Sequence, residues 1–82
     1  MYIEVINAKF IKNKEIFITF NDGSKGIVDF TKFIKKGGLF KAFEDQKLFE
    51  QFSIDYDFGT LKWNNDLDIA PESLYSNIKN AN

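Results

Sequence analysis

Apolar and polar residues take turns along the first thirty positions in the manner of strands. Residues 2–10 mix Tyr, Ile, Val and Phe with Glu4 and Asn7, and Lys12-Asn13-Lys14 supplies a turn. The run Glu15-Ile16-Phe17-Ile18-Thr19-Phe20 has strand composition, with Ile16, Ile18 and Phe20 on one face. Asn21-Asp22-Gly23-Ser24 follows. Its Asp-Gly pair predicts a type I′ hairpin, because both residues tolerate positive φ. The returning strand runs over residues 25–30, giving three antiparallel strands.

From Thr31 the period changes. Thr31-Lys32-Phe33-Ile34 predicts a short helical turn, stopped by Gly37-Gly38 with lysines in its last turn. Leu39, Phe40 and Phe43 fall at helical spacing, and so do Leu48, Phe49 and Phe52, but the two sets do not share a phase. Asp45 between them suits an N-cap, which predicts two short helices. Ser53-Ile54-Asp55-Tyr56 and Thr60-Leu61-Lys62-Trp63 alternate again around Asp57-Phe58-Gly59, the pattern of a second hairpin. Pro71 opens a terminal helix at the position where its missing N–H costs nothing. With Ala70 as cap, Ile69 and Leu74 form a hydrophobic staple, and Leu74, Tyr75 and Ile78 make the buried stripe. Residues 1–82 therefore read as a single α+β domain, an antiparallel sheet with the order βββ-αα-ββ-α and short helices packed on one sheet face.

Composition narrows the chemistry. The chain has 82 residues, no Cys and no His, and its eleven basic residues are all lysine. A thiolate nucleophile, a disulfide framework and a zinc ribbon are thereby excluded. The commonest general base near neutral pH is missing too. Without Arg there is no planar fork for phosphate or base edges, and eleven Lys against twelve acids leave a net charge of −1. Direct nucleic-acid binding is disfavoured on both counts. Ten Phe, three Tyr and one Trp make an aromatic-rich core the natural compensation for a small chain without staples. The N-terminal residues lack the order of a signal peptide and no apolar run has membrane-spanning length, so a cytoplasmic location is expected.

Few constellations carry chemistry. The acidic segment Asn64-Asn65-Asp66-Leu67-Asp68 is the best candidate for a hard cation, with Asp66 and Asp68 as ligands. It fails the EF-hand template, which would place Ala70 at the mid-loop glycine and Ser76 at the closing carboxylate. Turn formation by Asp and Asn, and the proximity of Asp68 to a helix start, explain the segment more simply. Asp22, Asp29, Asp55 and Asp57 lie near strand ends. A paired-carboxylate hydrolase would need two of these acids to face each other, Asp55 or Asp57 joining Asp66 and Asp68. Ser24, Ser53, Ser73 and Ser76 have no His partner, and no nucleophile elbow surrounds them. Lys32, Lys35 and Lys36 beside Gly37-Gly38 lack the Walker pattern. Base stacking on the aromatic residues, as on an RNA-binding sheet, ranks last. Trp63, at a strand end beside a polar loop, is either an exposed interface anchor or a buried ring whose indole N–H needs a partner.

The blocks Phe20-Asn21-Asp22-Gly23, Val28-Asp29-Phe30, Gly38-Leu39-Phe40 with Phe43, Phe49, Gly59-Thr60-Leu61-Lys62-Trp63 and Asp68-Ile69-Ala70-Pro71-Glu72-Ser73-Leu74-Tyr75 resemble a bacterial family, domain of unknown function 2442, over essentially the whole chain. The family usually has Pro and Gly in the loop after the Trp, where this chain has Asn64 and Asp66. The resemblance implies a short bacterial protein without established activity. Members are often encoded beside a second small protein, an arrangement like that of toxin–antitoxin pairs. The reading that follows is a non-enzymatic interaction module with a protein partner and no cofactor. Its contact surface is assigned to Trp63, Asn65, Asp66, Asp68 and Tyr75, and self-association stays open. The alternative is a carboxylate-based metal-binding protein or hydrolase.

Overall fold

Ile16, Ile18 and Phe20 are fully shielded from solvent while Phe17 and Thr19 between them are half-buried. That alternation fixes which face of the first sheet meets the core. The computed structural model describes residues 2–63 and 67–78. Strands β1 (Val5–Lys12), β2 (Glu15–Phe20) and β3 (Lys25–Asp29) form an antiparallel sheet in the order β1-β2-β3. Asn13 opens the first turn with φ 50°, a left-handed conformation that Asn tolerates. The second turn differs from the type I′ expectation. Gly23 has φ 90°, but Asp22 stays at negative φ, and the Phe20 N–H donates to Ser24 C=O across a three-residue loop. Asp22 accepts the Ser24 N–H at 2.9 Å, so its side chain closes the turn that its backbone was expected to make.

Helical segments then cover the inner face of this sheet. Helix α1 (Thr31–Lys36) stops at Gly37, φ 78°. A 3₁₀ helix spans Gly38–Glu44, in which residues three apart eclipse one another, and the Phe40 and Phe43 rings stack at 5.9 Å. Helix α2 (Gln46–Phe49) begins at Asp45, whose carboxylate accepts the N–H groups of Lys47 and Leu48. The predicted cap is in place. Phe10 of β1 meets Phe49 of α2 edge-on at 6.4 Å, which ties helix to sheet.

A second antiparallel sheet follows, built from β4 (Ser53–Asp55), β5 (Thr60–Lys62) and β6 (Asp68–Ile69), with β5 central. One sheet was expected where there are two. The segment Asp68–Ile69, expected to lead into the helix, pairs with Lys62 and Leu61. Two residues are too short to show a period, so this strand exists through its partner and not through its own pattern. Helix α3 (Pro71–Tyr75) has Ala70 as cap and Pro71 in its first turn, with Ile69 and Leu74 buried in the common core. It ends before Ile78, which packs against the core from the following turn.

The two sheets meet where the Val5 N–H donates to Gly59 C=O at 2.7 Å. Gly59 has φ 64°, and a Cβ there would lie 2.6 Å from Cγ and 3.1 Å from Cα of Glu4. Gly23 has a positive φ but open space around it. Gly23→Ala should therefore cost only the left-handed strain of about 1 kcal/mol, whereas Gly59→Ala should cost about 2–4 kcal/mol by adding a clash with backbone. Urea midpoints of the two variants at unchanged m-value measure the difference.

Candidate interaction groove

Three chain-distant segments converge on a groove of about 430 Å³: residues 2–4, the turn between β4 and β5, and residues 68–72 at the β6–α3 junction. Each is held by bonds that its own residue types dictate. Asn21 clamps the first segment. Its Nδ2 donates to the Tyr2 C=O at 2.8 Å, its Oδ1 accepts the Glu4 N–H at 3.0 Å, and its own N–H donates to the Glu4 C=O at 2.9 Å. The second segment is fixed by Asp55, whose carboxylate accepts the N–H groups of Asp57 and Phe58 while Gly59 N–H donates to its C=O. In the third, the buried Thr60 hydroxyl donates to the Ile69 C=O, so β5 anchors β6 through a side chain as well as through its ladder.

The mouth of the groove carries two aromatic rings in water. Phe58 is 74% exposed and Tyr2 86% exposed. The other nine phenylalanines are buried or half-buried, so Phe58 stands apart from the general use of Phe in this chain. The walls contain Ile3, Ile69 and Pro71. Around them stand the carboxylates of Glu4, Asp57, Asp68 and Glu72, with no lysine among the described residues of the lining. None of these four side chains is engaged in a hydrogen bond or ion pair with a described residue.

A family described as "Protein of unknown function (DUF2442)" matches residues 5–80. The chain belongs to DUF2442. No curated protein and no solved structure matches it. The stretch shared with DUF2442 runs from β1 past α3 and so includes two of the three groove segments, while residues 2–4 precede it. Among the described residues of this DUF2442 member, no helix is long and apolar enough to cross a membrane.

The residues expected at a contact surface are dispersed. Trp63 is a correction: it is 3% exposed, and its indole N–H donates to the Phe49 C=O at 2.9 Å. Its flanking polar loop suggested a surface position, but the ring packs 4.6 Å from Phe43 and belongs to the core of this DUF2442 chain. Asn65 and Asp66 lie outside the described residues. Asp68 lines the groove, exposed, with its backbone in β6. Tyr75 is half-buried elsewhere, edge-on to Phe20 at 5.1 Å. Of the acids considered for a metal or hydrolytic site, Asp57 and Asp68 share the groove, while Asp55 is turned into its own loop. Among the described residues no three acids come together to hold an ion.

Sequence reasoning missed Tyr2, Glu4, Phe58 and Glu72. A signal existed for one of them. Phe58 sits at a hairpin tip between Asp57 and Gly59, where turn chemistry favours small polar residues, and a large apolar side chain there has no local reason to be present.

Tyr75 has a structural task instead. Its hydroxyl donates to Asp22 Oδ2 at 2.8 Å and lies 3.3 Å from Ser24 Oγ, pinning the C-terminal helix to the β2–β3 turn. The Ser24 N–H, and after it the Tyr75 hydroxyl, hold the Asp22 carboxyl below the usual carboxylate value of 3.8. A depressed native pKa means that this contact stabilises the fold above the unfolded value of roughly 3.9 and is lost as pH falls through the native one. In Tyr75→Phe the Asp22 titration midpoint should rise toward the ordinary value without reaching it, since the Ser24 bond remains. Carboxyl NMR titration of both proteins reads this directly.

Proposed function

We propose that this chain is a non-enzymatic interaction module whose groove receives part of a protein partner. The exposed Phe58 ring carries the reading. Exposed aromatic side chains at a concave surface are typical anchors of protein contacts, and Phe58 is not among the residues packed on the core. The inventory of reactive groups supports the same conclusion. The chain has no Cys or His, the Thr60 hydroxyl is engaged with Ile69, and the Lys14 ammonium donates to the Phe43 C=O and Gln46 Oε1, both at 2.6 Å. Every buried side-chain nitrogen or oxygen among the described residues has a hydrogen-bond partner. The resemblance to families encoded in pairs suits a two-protein module of the toxin–antitoxin kind.

A specific interface of this sort buries roughly 1,000 Å² or more, of which the groove would be the centre. A C-terminally tagged chain recovered from its native cell at physiological salt should bring down a discrete partner in fixed stoichiometry. Tyr2→Ser with Phe58→Ser, both fully outside the core, should abolish that capture without lowering the melting temperature. Recovery of the wild-type chain alone, as a monomer, would overturn the proposal.

A further inference from the structure

The groove also says what kind of partner surface it fits. We infer that its occupant is an extended, lysine- or arginine-bearing segment of the partner protein; the inference rests on the interaction reading above. The chain as a whole is balanced, with eleven lysines against twelve acids. The groove is not: among the described residues it gathers Glu4, Asp57, Asp68 and Glu72 and no lysine. Clefts that focus one sign of charge between apolar walls attract the opposite sign. Since these carboxylates are not engaged with any described residue, an incoming cation would not have to displace an internal partner.

The apolar part of the lining points the same way. Tyr2 and Phe58 are exposed rings in the lining, and an aromatic ring attracts a cation more strongly where water is thinned out. Ile3, Ile69 and Pro71 offer a surface for the aliphatic stem that a lysine or arginine carries behind its charge. An acidic partner would meet four like charges, and a purely apolar one would strand them. The size suits a few inserted side chains. A cavity of about 430 Å³ takes a few side chains from an extended strand, whereas an α-helix with its side chains is about 10–12 Å across.

A short fluorescent peptide of alternating lysine and glycine is the probe, with alternating glutamate–glycine and serine–glycine peptides as comparators. Anisotropy titrations should show the lysine peptide binding at least about tenfold more tightly than the serine peptide, with an affinity that falls as salt is raised. Amide shift changes should concentrate at Phe58, Asp68 and Glu72. Asp68→Asn with Glu72→Gln should remove most of the preference at unchanged melting temperature, whereas Glu44→Gln, an exposed acid outside the groove, should leave it intact. Equal binding of the serine peptide in the groove would overturn the charge inference while sparing the interaction reading. Loss of binding in Glu44→Gln as great as in the groove variant would overturn it by showing a general charge effect. Self-association that Asp68→Asn with Glu72→Gln abolishes would overturn it too, since the exposed Lys32, Lys35 and Lys36 of a second copy would then be the occupant. Failure to capture any partner, by contrast, is the result that removes the interaction reading itself.

Discussion

Phe30 is the point at which the fold is joined. Its backbone closes β3 against Lys14 at 2.8 Å and caps α1, and its ring lies within 6 Å of Phe33, Phe43, Phe49 and Trp63. First sheet, helical cover and second sheet therefore share one aromatic cluster. With no disulfide and no histidine or cysteine for a metal, apolar burial carries the stability, and these rings are its centre beside aliphatic residues such as Ile16, Ile18 and Leu61. Each fully buried Phe contributes roughly 1.5–3 kcal/mol by transfer from water, an upper estimate because the unfolded chain is itself partly compact. The edge-on geometries among these rings add directional preference to that burial. Trp63 supplies the one hydrogen bond the cluster requires, its indole N–H reaching the end of α2.

That arrangement accounts for where the groove is. The cluster occupies the middle of the molecule and takes in Phe10, Phe33, Phe40, Phe43, Phe49 and Phe52 beside Phe30. The groove forms at the far end of the second sheet, where short strands run out and an N-terminal segment is strapped across by Asn21. Its apolar walls and the carboxylates around them sit on tethered backbone: an Asp-capped turn, a proline-started helix and a clamped strand lead-in. The groove is thus preorganised, and little ordering entropy would be spent at its own side on filling it.

Much of the architecture was legible, and for local reasons. The alternation of Ile16, Ile18 and Phe20, the Asp45 cap, the Gly37 stop and the Ala70-Pro71 helix start all depend on neighbours within four residues. What escaped notice depends on contacts distant in sequence. Asp68–Ile69 is a strand only because Leu61 and Lys62 are beside it. The Asp22-Gly23 turn is the local exception: its three-residue form goes with an Asp22 carboxylate that accepts the Ser24 N–H two positions on. Trp63 read equally as an exposed anchor or a buried ring in need of a partner, because its flank is polar, and the fact that decides its place is a carbonyl fourteen positions earlier. The groove was invisible for the same reason, being assembled from segments near residues 3, 58 and 70 that no window spans.

The contact between Glu4 and Gly59 limits how sequences of this shape can drift. Trimming the glutamate would relieve the two closest contacts of a side chain at 59 but would leave its tight approach to the Glu4 Cα and the left-handed φ. A bulkier side chain at position 59 would need the whole leading strand to slide, and that strand is tied both to the second sheet and to Asn21. The two positions are therefore not interchangeable partners in which one shrinks as the other grows. Glycine at 59 is a fixed point, and residue 4 is free to change its charge only so long as its backbone stays where it is.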